Sequence, residues 1–283
     1  MIEYKRVVKN ILNQGESRDT RSGKVLSLFN QQMEFDLRQG FPAPTIKRLA
    51  FKSVMGELLW FLSGSTDLKD LIKYSNKKEG DWTIWTDDAA RWHSKNADNT
   101  NPTDTGLLYG HQWRNYGGKV DQIKQVIHSL KTDPFSRYHV VTAWDPVGRA
   151  QDAMALPACH RDFQFHVSNG GELNLHFTMR SNDIYLGSPF NIASYAALCH
   201  IIAKLTGLKV GKLACSIIDA HIYVNHLEVV NKVMRNPVFP SPSLKMPEFS
   251  TLEELLELTA EDFALEDYVC YEGDASAPLS VGV

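Results

Sequence analysis

The chain has 283 residues, 43% of them hydrophobic, enough to bury one large core, and its 30 Lys and Arg against 33 Asp and Glu give a net charge of -3. That balance offers no basic field for bulk nucleic acid, so any phosphate ligand must be held by a few focused arginines, and no run is apolar and long enough to span a membrane. Four cysteines, Cys159, Cys199, Cys215 and Cys270, lack CxxC spacing and the density of a disulfide scaffold, so the expectation is a soluble cytoplasmic protein in a reducing compartment.

In chain order, residues 15–24 (GESRDTRSGK) read as a polar loop, and residues 25–37 alternate loosely as a strand before the turn-rich GFPAPT. Over residues 50–62, Val54, Met55, Leu58, Leu59, Phe61 and Leu62 predict a buried helix that Gly64 stops, with Glu57 inside it. Residues 76–106 are polar and rich in Asn and Asp, which predicts a long functional surface loop that touches the rest through Trp82 and Trp85. Residues 139–144 are β-branched and aromatic. Alternating apolar residues around Asn169, Gly170 and Gly171 predict a hairpin from Phe163 to Met179. A buried helix over 192–206 ended by Gly207, a strand over 213–224 and an amphipathic or irregular tail follow.

Chemistry concentrates in RSNDIYLGSPFNIASY, which begins at Arg180. Arg180 carries a planar fork suited to phosphate, Asp183 a carboxylate acceptor, and Asn191 an amide that both donates and accepts; Gly187 and Pro189 favour a sharp change of direction. Cys159 lies in ALPACH, between Pro157 and the pair His160 and Arg161. A rigid bend in an electropositive setting is the kind that lowers a thiol pKa and makes a nucleophile, against the commoner case of a cysteine packed as a small hydrophobe.

The ordered set resembles the folate-dependent thymidylate synthases, from about Arg21 to Asn225, with RSGKVLSLFNQQMEFDL, FPAPTIKR, GELLWFL, WTIW, LLYGHQWR and DAHIYVNH in family order. The resemblance implies an α+β fold, a thymidylate-synthase-like single catalytic domain over 1–283 with a large mixed, mostly antiparallel β-sheet covered by helices. It implies one-carbon transfer from methylenetetrahydrofolate, as co-substrate, to carbon 5 of dUMP, with reduction to dTMP and dihydrofolate. Cys159 is then the nucleophile, and Glu57, Tyr109, Trp85 and Asn191 complete the catalytic set. Arg21, Arg137, His160, Arg180, Ser181, Asn191, His221 and Tyr223 hold the nucleotide. Lys47, Ile84, Trp85, Asp183, Leu186, Gly187, Phe190 and Val283 face the folate, and no metal is expected. A homodimer is implied too, with Arg137 reaching the partner's phosphate site, and neither membrane nor obligatory nucleic acid as partner.

Departures from the family pattern are specific. Ala158 separates Pro157 from Cys159, Tyr138 stands where a second arginine is usual, Asp88 where an aromatic is usual, Met179 where a glutamine is usual, and the Arg21 loop is one residue shorter. They raise one near alternative, a pyrimidine nucleotide hydroxymethylase in which water replaces hydride. Two more distant alternatives are a non-catalytic nucleotide-binding regulator and a cysteine hydrolase built on Cys159, His160 and an Asn.

Overall fold

A computed structural model describes residues 1–95 and 101–272. Helix α1 (Ile2–Gln14) leads into strands β1 (Glu16–Thr20) and β2 (Gly23–Asp36). Helices α2 (Phe51–Ser63), α3 (Leu68–Tyr74), α4 (Thr86–Lys95), α5 (Tyr109–Asn115) and α6 (Gln122–Thr132) follow, then β3 (Val140–Thr142) and the short α7 (Pro146–Ala150). The next run is β4 (His160–Val167), β5 (Glu172–Asp183), α8 (Gly187–Thr206) and β6 (Lys209–Tyr223). The last elements are α9 (Leu227–Val233), β7 (Ser243–Lys245), α10 (Leu252–Leu256) and β8 (Ala264–Glu266).

Six strands form one sheet in the order β1-β2-β6-β5-β4-β3, antiparallel throughout except for the parallel β5–β6 pair. Two parallel neighbours cannot be joined by a hairpin, so α8 is the crossover between them. This is the mixed, mostly antiparallel α+β architecture that the family resemblance implies, with a second small sheet of β7 and β8.

Helix α8 shows why the core sits where it does. It is buried on nearly every side, from Ile192 and Tyr195 through Leu198 to Ile202, because β5 and β6 lie under it and α2 and α6 over it. Tyr195 stacks on Phe177 of β5 with ring centroids 4.1 Å apart, and Phe163 of β4 meets the same ring at 5.5 Å. Gly64 and Gly207 end α2 and α8 in the left-handed region, at φ of 81° and 73°, where a side chain would be strained.

The strand over 25–37, the helix over 50–62 and the hairpin appear as β2, α2 and β4–β5. Helix α8 begins five residues before the expected 192, because the turn at its start lies inside the RSNDIYLGSPFNIASY motif and masks the helical period. The polar loop over 15–24 is corrected: it contains β1, whose five residues are all exposed and therefore show no alternation, yet pair in register with β2. The surface loop over 76–106 is corrected as well. Thr86 to Lys95 form α4, in which Asp88 and Ala89 are buried, while Trp82 stays 43% exposed and only Trp85 packs into the core.

Leu198 lies fully buried in α8. Leu198→Ala is expected to lower the free energy of unfolding by about 2–5 kcal/mol, measured by urea denaturation, through lost burial and the cavity left behind.

Candidate active site

One cavity of about 370 Å³ opens between the C-terminal end of β5, the start of β4, helix α2 and the segment around Trp85. Cys159 lines it from the bend just before β4. Arg180, on β5, holds that bend from beneath: its Nε donates to Ala158 O at 2.8 Å, and its Nη2 donates to Pro157 O at 2.9 Å and to the Cys159 Sγ at 3.3 Å. Tyr109, at the start of α5, adds a second brace, since its hydroxyl accepts the Cys159 backbone N–H at 2.8 Å. Burial raises the Tyr109 phenol far above its ordinary range, so it stays protonated.

Here the expected electropositive setting is corrected. A β-bulge between His160 and Asp162 parts the two neighbours of Cys159. Arg161 turns outward to pair with Asp162 at 3.1 Å, and His160 is buried, its pKa lowered to about 4 by desolvation. Neither supplies a cation to the thiol. Burial pushes Cys159 above its ordinary value; Arg180 and Arg21 pull it back, and Asp88 adds to the rise. In this state the sulfur is a thiol with a cation already at hand, not a standing thiolate.

Glu57 faces the same space from the middle of α2, with apolar neighbours on both sides in sequence. Burial lifts its carboxyl to about 7, opposed by the hydrogen bond it accepts from Trp85 Nε1 at 2.8 Å. Trp85 is held in turn by edge contacts with Phe61 and Tyr109, at 6.3 and 6.0 Å between centroids.

The other wall is built by the turn from β5 to α8. Asp183 Oδ1 accepts the backbone N–H groups of Tyr185 and Leu186 at 2.9 and 3.1 Å, so one carboxylate both reaches the cavity and shapes the turn. Leu186, Gly187 and Phe190 line the wall beside it, with Ile84 across from them. Lys47 also lines the cavity; its amine donates to Tyr185 O and lies 4.0 Å from the Tyr185 ring centroid, and burial lowers its pKa to about 8. Asn191, one turn into α8, donates from Nδ2 to His160 Nε2 at 2.7 Å and accepts at Oδ1 from Asn182 Nδ2 at 2.7 Å.

Most of the candidates thus meet in one place, Ser181 and Tyr223 included. Arg180 sits beneath the cavity floor, with its fork on the Cys159 bend; the three bonds use every N–H of Nε and Nη2, which leaves Nη1 for an anion. His221 stands behind Tyr223, with ring centroids 5.4 Å apart. Arg21 is exposed on the turn between β1 and β2, near enough for its charge to act on Cys159, Asp88 and Tyr223. Arg137 is exposed on the segment before β3 and is not a lining residue of this chain's cavity. Val283 lies outside the described residues, as does the whole PLSVGV end. Sequence reading did not place Phe61, Asp88, Leu156, Met179 or Asn182 among the site residues, although Asp88 and Met179 stood out as departures from the family pattern; of these, Asp88 and Asn182 carried a polar signal that could have been weighed.

A family model described as thymidylate synthase matches residues 2–281. The chain belongs to the thymidylate synthase family. A probable thymidylate synthase of Escherichia phage T5 is 49% identical over 275 residues, which cover 95% of this chain and 96% of that protein. Membership of the thymidylate synthase family does not favour the hydroxymethylase alternative. The hydrolase alternative loses its base, because His160 Nε2 is engaged by Asn191.

Two titrations test this electrostatic account. Between 4.5 and about 7 the folded protein holds a proton on Glu57 that the unfolded chain has released, so this group's contribution to stability is lost as pH rises through the window. His160 acts in the opposite sense between about 4 and 6.5. The stability of Glu57→Gln relative to the parent should therefore climb with pH across the Glu57 window and then level off, followed by urea denaturation. Arg180→Met removes the cation nearest the sulfur and should move the pH profile of Cys159 alkylation by iodoacetamide to higher pH.

Proposed function

We propose that this methyltransferase is a thymidylate synthase, converting dUMP to dTMP in the cavity around Cys159. The observation that carries the reading is the joint placement, on the lining of one cavity, of a protonatable carboxyl and a cysteine sulfur that lies 3.3 Å from a guanidinium nitrogen. The same reading takes residues 1–283 as one catalytic domain and the cytoplasm as its location.

Carbon 5 of a uracil ring is a weak nucleophile until a thiolate adds at carbon 6. Cys159 Sγ makes that bond after losing its proton, and Arg180 stabilises the sulfur anion. The electron pair of the ring double bond moves toward the carbonyl at position 4. Asn191 donates there, and Glu57 reaches the same region through water. Glu57, poised near neutrality, moves protons to and from the ring and the leaving groups, and Tyr109, which stays protonated, passes them along only by donating and re-accepting within its hydrogen bonds. Bound methylenetetrahydrofolate supplies the methylene carbon and the hydride, leaving as dihydrofolate. Release of Sγ from carbon 6 restores the ring double bond and returns the cysteine.

The wall fits the folate. Trp85, Ile84, Leu186 and Phe190 offer flat and apolar surface, Asp183 a carboxylate for a ring with N–H donors, Gly187 close backbone approach, and Lys47 a cation beside the opposite rim. On the nucleotide side, Arg180 through Nη1, Ser181 and Arg21 hold the phosphate, and His221 with Tyr223 holds the sugar hydroxyl. In this reading the buried Trp85 ring covers the exocyclic methylene from bulk water, which favours hydride over hydroxide as the group that adds to it.

Arg137 serves a partner chain in this reading. It is exposed, and its neighbours Phe135 and Tyr138 are 63% and 88% exposed, an apolar surface suited to a homodimer. Heterodimers of Arg137→Ala and Cys159→Ser chains should recover activity absent from either homodimer; no recovery contradicts a shared site.

Fluorodeoxyuridylate with methylenetetrahydrofolate should leave a covalent adduct on the intact protein, detected by mass spectrometry and absent in Cys159→Ser. An unmodified protein under those conditions contradicts the proposed chemistry. Asn191→Asp should move activity from dUMP toward dCMP, and an unchanged preference contradicts the role given to Asn191.

A further inference from the structure

Asn182 lies in β5 between Ser181 and Asp183, is 4% exposed, and lines the cavity. Its Nδ2 donates to Asn191 Oδ1 at 2.7 Å, and Asn191 Nδ2 reaches His160 Nε2 at 2.7 Å. The three side chains form a relay, with Asn182 Oδ1 and His160 Nδ1 as unpartnered buried atoms at its two ends. Each bond uses one lone pair or one N–H of the Asn191 amide. One lone pair, on the Asn182 side, and one N–H, on the His160 side, therefore remain for a ligand.

That leftover pattern is directional. A uracil edge presents a ring N–H beside a carbonyl and matches an amide facing this way; a cytosine edge presents a ring lone pair beside an amine and matches the same amide turned over. The two orientations are nearly equal in shape, so packing cannot choose between them. His160 cannot choose either, because a neutral imidazole accepts or donates at Nε2 according to its tautomer. Asn182 can, since turning it over would leave both of its buried amide N–H groups unpaired, a costly arrangement.

We propose that Asn182 is a positioning residue that fixes which way the Asn191 amide faces, and so sets the preference of the site for uracil over cytosine nucleotides. The proposal rests on the thymidylate synthase reading and adds a residue that acts through Asn191. It also gives the relay a reason to be buried: an exposed amide would find water on either side and lose its bias.

The test is equilibrium binding of dUMP and of dCMP to the full chain by calorimetry, for the parent and for three variants. An ionised carboxylate only accepts, so Asn182→Asp takes Asn191 Nδ2, turns the amide over and lowers the ratio of dUMP to dCMP affinity by about tenfold or more. Asn182→Leu removes the constraint and also lowers the ratio. Asn182→Ser offers a hydroxyl that accepts as readily as it donates, so it too loses the bias and lowers the ratio, whereas a merely structural role would weaken both nucleotides alike. If Asn182→Asp does not fold, Asn182→Leu and Asn182→Ser decide, and an unchanged ratio in both overturns the proposal. Unchanged ratios in the folded Asp or Leu variant overturn the proposal while leaving the parent's dUMP binding, and with it the function, intact. A parent that binds neither nucleotide overturns both, and this is evident before any variant is made.

Discussion

The grip of Arg180 on the Pro157–Cys159 bend is the constraint on which the site depends. Three N–H groups of one guanidinium tie two carbonyls and a sulfur to β5, which is itself locked between β4 and the parallel β6. A bend on its own would be free to move the thiol by an ångström or more. Fixed to the sheet, it keeps the thiol in register with the turn that carries Asp183 and with the first turn of α8, where Asn191 stands. Positioning of this kind is what allows a reaction between bound partners to proceed with little further loss of freedom.

Electrostatics follow from the same burial. Glu57, His160 and Cys159 all sit in a low-dielectric space that disfavours their charged forms, with the Arg180 cation against the sulfur and the Asp88 and Asp183 carboxyl groups on the lining. In the proposed reading an anionic nucleotide meets cations at its phosphate and hydrogen-bonding groups at its base. Charge created by the reaction then develops where fixed dipoles count for most.

Much of this could be read from the chain, and the failures have physical causes. Helix α2 with its Gly64 stop, the hairpin around Gly170 and Gly171, and α8 ending at Gly207 declare themselves through apolar period and punctuation. Strand β1 does not, because every one of its side chains faces solvent and pairing with β2 alone makes it a strand. Helix α4 hides in a polar segment because only Asp88 and Ala89 turn inward. The motif from Arg180 to Asn191 was legible as a site, but two of its relations were not. Arg180 reaches Ala158 across 22 residues of sequence, a contact no local pattern encodes. The β-bulge that sends Arg161 outward and buries His160 likewise reverses what their adjacency to Cys159 implies about the thiol.

The central claim is that one site both adds a carbon at position 5 and reduces it. Its most direct test uses dUMP carrying tritium at carbon 5, with tritium release and dihydrofolate absorbance followed in the same reaction. The account predicts one dihydrofolate for each tritium released, at every stage of the time course. Tritium release with no dihydrofolate would mean that carbon transfer ends without hydride, and would contradict it.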